Sequence, residues 1–163
     1  LARQLGATVF EPEPREALVE AVAAWSDAPI LRPWEGLPVA YPGHVEVVYD
    51  TVGSPMTVEA AMRVLAHGGS LVELGVGSPA RFEWTPWYFK ELRLIGSNAF
   101  GDETFEGRKQ HAFEHYFDLL RDGRIDLGGM LTHRFPLDQW REAFTTIVDQ
   151  GTRGAVKVAF DFR

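Results

Sequence analysis

A chain of 163 residues with a hydrophobic fraction of 45% can bury one good core. Its net charge of -7, with no Lys/Arg cluster, argues against a nucleic-acid surface. The absence of cysteine excludes disulfides, thiolate catalysis and any cysteine-built zinc site within these residues. No apolar run approaches the roughly 20 residues of a membrane span, no signal peptide is evident, and the expected location is cytoplasmic.

Taken in chain order, L-A-R-Q-L-G-A at residues 1–7 reads as the last turns of a helix that starts upstream. Thr8, Val9 and Phe10 read as a short strand, and Glu11-Pro12-Glu13-Pro14 as a turn. Ala17, Leu18, Ala21, Val22 and Trp25 recur at helical spacing, so residues 14–25 are expected as an amphipathic helix with Pro14 at its first position. Residues 27–43 hold four prolines and no period, which predicts a surface loop, read as an insertion.

Val45 to Tyr49 is apolar and rich in Val, as in a strand covered on both faces. Ser54-Pro55 starts a helix by cap logic, Val58, Ala61, Met62 and Leu65 give it an apolar face, and Gly68-Gly69 is expected to stop it. Ser70 to Leu74 is the next buried strand. This strand-helix-strand rhythm predicts an α/β fold with a doubly wound parallel sheet.

Residues 82–89, with Phe82, Trp84, Trp87, Tyr88 and Phe89, are expected as an extended aromatic arm. Leu92 to Ser97 is a further strand. Gly107 to Asp122 is expected as a helix with Phe113, Phe117 and Leu120 inward and Gly123 as its stop. Met130 to Phe135 is extended, Leu137 to Gln150 is a helix closed by Gly151, and Ala155 to Phe160 is a last strand.

Three short motifs carry possible chemistry. Gly75 to Ala80 spells G-x-G-x-x-A after a strand, but no helix is expected to open there, so the phosphate-binding reading lacks its context. His111 to His115 spells H-x-x-E-H; the same helix carries Phe113 and Phe117 as core positions, and no metal ligand is assigned. Thr51, Val52 and Gly53 follow a strand, where open α/β sheets bind their ligands.

The order of V-V-Y-D-T-V-G, G-G-S-L-V-E-L-G, L-I-G-S-N-A-F-G, L-T-H-R-F-P-L-D-Q-W-R-E-A-F and A-V-K-V-A-F resembles the C-terminal half of the medium-chain, zinc-type alcohol dehydrogenases. T-H-R-F-P-L-D looks more like the zinc-dependent polyol and threonine dehydrogenase branches than the zinc-free quinone reductases. The resemblance implies a partial Rossmann-like sheet holding strands three to six of six, with the first βαβ missing. Residues 1–98 would belong to the dinucleotide-binding domain. Residues 99–163 would be the segment returning to a GroES-like catalytic domain. It implies NAD or NADP as cofactor: Leu74, Gly75 and Val76 at the nicotinamide, Thr51, Val52 and Gly53 at the riboses, Ser97 and Asn98 at the carboxamide, and Lys157 at the pyrophosphate.

Zinc, the catalytic residues and the glycine loop would lie outside this chain, which alone is expected to be inactive. The substrate would be a small alcohol or ketone, with no nucleic-acid or membrane partner. Homo-oligomers would form through the sixth strand's edge and the aromatic arm. A different reading is a naturally shortened, non-catalytic binding or assembly module. In either case the fourth family strand is expected to lose a neighbour and the third to lack a pairing partner.

Overall fold

The computed structural model describes residues 2–10, 13–78, 80–98 and 100–162. It divides into two compact units, Thr8–Ala99 and a second made of Leu1–Ala7 with Phe100–Arg163. No helix among the described residues is long and apolar enough to cross a membrane.

In the Thr8–Ala99 unit, α1 (Arg15–Trp25) buries Val19 and Ala23, and Pro14 stands one residue before it as the N-cap. Strand β1 (Ile30–Leu31) pairs antiparallel with β2 (Val39–Ala40). Then come β3 (Val45–Asp50), α2 (Pro55–Val64), β4 (Leu65–Glu73), α3 (Thr85–Phe89) and β5 (Arg93–Gly96). The sheet order is β3-β4-β5 and both ladders are parallel. Helix α2 begins where the sequence places it. The Ser54 hydroxyl accepts from the Thr57 N–H at 3.2 Å, and the Ser54 N–H donates to Thr57 Oγ1 at 3.0 Å, with Pro55 next in the chain. Its apolar side meets the sheet in a core of Ala61, Met62, Leu65, Leu71 and Leu92, against which Val45, Val48 and Val58 pack.

Five expectations for this unit need correction. Thr8 to Phe10 forms no strand, since a strand requires a hydrogen-bonded neighbour and none lies beside it; Phe10 instead meets Trp25 edge to face, with centroids 6.0 Å apart. Strand β3 is covered on one side only, leaving Val47 44% and Tyr49 67% exposed. Helix α2 stops at Val64, not at Gly68-Gly69, and β4 starts directly at Leu65 with a register shift opposite Val45 and Val47. The aromatic arm is not wholly extended. Its second half is α3, held to β5 by the Trp87 indole N–H donating to Leu92 O at 2.8 Å. The 27–43 segment is also more than a surface loop, because Leu37 and Ala40 are buried.

In the second unit a hairpin of β6 (Asp102–Phe105) and β7 (Arg108–His111) leads into α4 (Ala112–Arg121). The helix expected from Gly107 therefore starts five residues later. Glu106 and Gly107 both have positive φ, 50° and 77°, the backbone that closes a tight hairpin. Phe113 and Phe117 do not face inward, being 50% and 56% exposed; His115 is the buried residue of α4. Strand β8 (Leu131–Phe135) pairs in parallel with β9 (Lys157–Phe160), joined by α5 (Trp140–Val148) and α6 (Gln150–Arg153). Gly151 lies inside α6 rather than closing the long helix. The left-handed stop is Gly154, at φ 64°.

Candidate functional site

The three parallel strands of the Thr8–Ala99 unit end at Asp50, Glu73 and Gly96, which are register partners in sequence across the sheet. The turns that follow bring together Thr51, Val52 and Gly53, Leu74, Gly75 and Val76, and Ser97 and Asn98. Main-chain bonds tie them. Leu74 N and Gly75 N donate to Asp50 O at 2.8 and 3.1 Å, Gly77 N to Gly53 O at 3.0 Å, and Ser97 N to Glu73 O at 2.9 Å.

Glycine is required here by contact as well as by torsion. Gly53 has φ +66°, and a Cβ on it would overlap the Gly75 carbonyl. A Cβ on Gly75 would sit 2.5 Å from Thr51 C, and one on Gly77 would sit 2.6 Å from Gly53 O. The first two turns are interlocked at backbone distance. On their outer side Val52 and Leu74 are half exposed and Val76 is 91% exposed. The literal G-x-G-x-x-A motif opens no helix at Ala80. Helix α3 starts only at Thr85 and has five residues.

Beneath the turns lie two carboxylates. Asp50 is 5% exposed, and its Oδ1 accepts from Val52 N at 2.9 Å and Gly53 N at 3.1 Å. Asp50 Oδ2 and Glu73 Oε1 are both buried without a hydrogen-bond partner. Burial, and after it the negative charge of Asp50, holds the Glu73 carboxyl above its ordinary range. These turns contain neither Lys nor Arg. Their chemistry suits the uncharged parts of a ligand, a ribose or an amide-bearing ring, and offers no side-chain cation for phosphate.

Lys157, the expected phosphate contact, lies on β9 in the second unit, where its carbonyl accepts from Thr132 Oγ1 at 3.1 Å. His111 and His115 are not paired as ligands. His111 Nδ1 accepts from the Phe113 N–H at 3.2 Å, whereas His115 is held between Gln110 and the Glu103 carbonyl, each at 3.0 Å. Among the described residues no group of three or more His, Asp or Glu side chains comes together.

Sequence reasoning missed the opposite end of the sheet. There Lys90, 1% exposed, donates to the carbonyls of Met62, Arg63 and Leu65 at 3.2, 2.8 and 2.7 Å, capping α2. Burial, then the Arg63 charge, pushes Lys90 down to about 7. Arg63 is itself buried, bonded to Glu59 at 3.1 Å and to the Leu37 carbonyl. A cleft of about 400 Å³ opens beside them, walled by Leu31, Val39, Tyr41, Pro86 and Phe89, with Glu35 and Glu83 also lining it. The one available signal was a lone Lys in the apolar run W-Y-F-K-E-L.

A parallel α/β sheet with interlocked glycine turns at its carboxyl ends defines the class of fold. Residues 1–122 match the zinc-binding dehydrogenase family, and the chain belongs to it, as the motif order implied. It is 32% identical over 158 residues to L-threonine 3-dehydrogenase of Paraburkholderia xenovorans, covering 96% of this chain and 39% of that protein. The chain thus spans about two fifths of the relatives it matches. In fold it is similar to 2R,3R-butanediol dehydrogenase of Bacillus subtilis (TM-score 0.67, 19% identity, 96% of this chain and 38% of that one). It is similar as well to a short chain alcohol dehydrogenase of Escherichia coli CFT073 complexed with NADH (TM-score 0.66, 19% identity, 99% and 40%).

Proposed function

We propose that this chain supplies the nicotinamide-side part of the cofactor site of an NAD(P)-dependent dehydrogenase acting on a small secondary alcohol, polyol or amino alcohol such as threonine. The observation that carries the reading is the interlock of Gly53, Gly75 and Gly77 at the carboxyl ends of parallel strands, where this class of sheet binds dinucleotides. Main-chain groups of Thr51, Val52, Gly53, Leu74, Gly75, Val76, Ser97 and Asn98 would orient the ribose and carboxamide, and Val52, Leu74 and Val76 would exclude water from one ring face. A bound nicotinamide accepts or returns hydride. No cation in these turns can hold the pyrophosphate, which is the role proposed for Lys157 together with residues outside this chain.

Zinc and its ligands are likewise assigned outside these residues. The relative's name, L-threonine 3-dehydrogenase, supports the substrate class. The cysteine-free composition accords with a cytoplasmic location. Strand β5 is one of the two outer strands of the sheet, with Leu94 50% and Ile95 45% exposed, and with the exposed Tyr88 and Phe89 of the preceding arm it is proposed as the edge where a second copy pairs.

The test is NADH binding by the whole chain, read as fluorescence enhancement. Saturable binding that Gly75→Val abolishes while the circular dichroism of the chain is retained supports the reading. No NADH binding by a folded chain removes it for these residues alone and favours the non-catalytic assembly module. For the pairing edge, Ile95→Lys should convert a dimer to a monomer in light scattering; a wild-type monomer refutes that edge.

A further inference from the structure

The buried Asp50 and half-buried Glu73 under the turns present a problem that the cofactor reading does not solve. Asp50 and Glu73 are register partners on adjacent parallel strands, so their side chains leave the same face of the sheet side by side. Each keeps one oxygen buried without a partner, Oδ2 on Asp50 and Oε1 on Glu73. Two ionised carboxylates so placed would repel each other with no donor between them. A single proton removes both faults, because it gives one oxygen a donor and the other an acceptor role.

We propose that Asp50 and Glu73 hold one proton between them, carried on Glu73 Oε1 and donated to Asp50 Oδ2, and that this acid pair is the positioning device that clamps the two interlocked turns. The proton belongs on Glu73, since Asp50 Oδ1 already accepts two main-chain N–H bonds, an arrangement suited to a carboxylate. The clamp follows from connectivity. Asp50 holds the first turn through the N–H groups of Val52 and Gly53, and the second through its carbonyl to Leu74 and Gly75. Glu73 holds the third through its carbonyl to Ser97.

Among the described residues no basic group acts on Glu73. The residue facing Glu73 from β5 is Gly96, and a Cβ there would meet nothing within 4 Å. Arg63, at the end of α2, and Lys90, just after α3, are engaged at the start of β4 with Glu59 and main-chain carbonyls. Asp50 is the charged group that acts on Glu73.

The purpose of the clamp rests on the proposed cofactor site, but its test does not. In an infrared pH titration of the whole chain in D2O, one protonated-carboxyl band should persist above the range in which ordinary Glu carboxyls ionise. That band should be absent in Glu73→Gln, should fade at lower pH in Asp50→Asn than in wild type, and should be lost from wild type as the pH rises further. Amide protection of Gly53 and Gly75, corrected for intrinsic exchange, should fall about tenfold over the same rise in wild type and stay constant in Glu73→Gln, whose amide N–H replaces the O–H. Glu73→Ala should lack the protection at every pH. A wild-type chain whose carboxyl bands all vanish over the ordinary Glu range, or protection that follows pH equally in wild type and Glu73→Gln, overturns the proposal. A chain that shows band and protection yet binds no NADH keeps the acid pair and loses the cofactor reading.

Discussion

The two ends of one small sheet solve opposite electrostatic problems. At the carboxyl end, acids lie under glycine turns with two oxygens unpaired. At the amino end, buried cations have their hydrogen bonds filled: Lys90 by three carbonyls, Arg63 by Glu59 and Leu37 O. The satisfied end fixes where α2 stops and β4 begins. The unsatisfied end keeps chemistry in reserve for a proton or a ligand. A buried polar group whose bonds are all made is structural on physical grounds, and one left open is where function is to be sought.

The largest expected effect lies at the satisfied end. Lys90→Met keeps the apolar stem but leaves the carbonyls of Met62, Arg63 and Leu65 buried without donors, and should destabilise the fold by about 3 kcal/mol in urea unfolding. The same variant sharpens the pH response. Because the folded pKa of Lys90 is depressed to about 7, the unfolded chain binds the extra proton between there and 10.5, so Lys90 makes stability rise with pH across that window. Lys90→Met should lose that rise. An unchanged midpoint in urea would mean the three bonds contribute nothing.

Next comes the interlock. Gly53→Ala and Gly68→Ala both place a side chain at positive φ, +66° and +72°, but only at Gly53 would the Cβ meet backbone. Gly68→Ala should cost about 1 kcal/mol from strain, and Gly53→Ala about 2–3 kcal/mol because the Gly75 turn must also move. Equal losses would show that the turns are not interlocked. Smaller again is the α2 cap: Ser54→Ala removes the bond to Thr57 N and should cost about 1 kcal/mol in the same assay.

What was legible in the sequence follows the same division. Runs such as V-E-V-V-Y and G-S-L-V-E announce parallel strands because period and branching act locally, though not that β3 is covered on one side only, and Ser54-Pro55 announces a helix start for the same reason. The turns of the candidate site were readable because strand ends are. The end of α2 was not, because Lys90 sets it from 25 or more residues away. Nor was the β6-β7 hairpin legible. Arg108 to His111 reads as helix by pattern, yet Glu106 and Gly107 at positive φ turn it back along Asp102 to Phe105. Thr8 to Phe10 failed for a further reason: strand propensity creates no strand without a neighbour.

The smallest effect contrasts two carboxylates in opposite senses. Asp118 is held below its ordinary range, first by the Gln110 side chain at 3.0 Å and then by Arg121 at 2.8 Å. Its folded pKa lies below its unfolded one, so its contribution is present above the unfolded value near 3.8 and is lost as pH falls through the folded one. Glu73 is shifted upward. Its contribution is present below about 4.5 and is lost as pH rises through the folded value. Asp118→Asn should therefore remove part of the acid-side loss of stability, and Glu73→Gln part of the loss as pH rises through its raised folded value. Both are read as differences from wild type in urea midpoints between pH 3 and 8. Because Asp118 is surface-exposed in its bonds to Arg121, salt should erase its difference and leave that of the buried pair. If salt erased both equally, Glu73 would be a solvated surface acid and the contrast between the two ends of the sheet would fail.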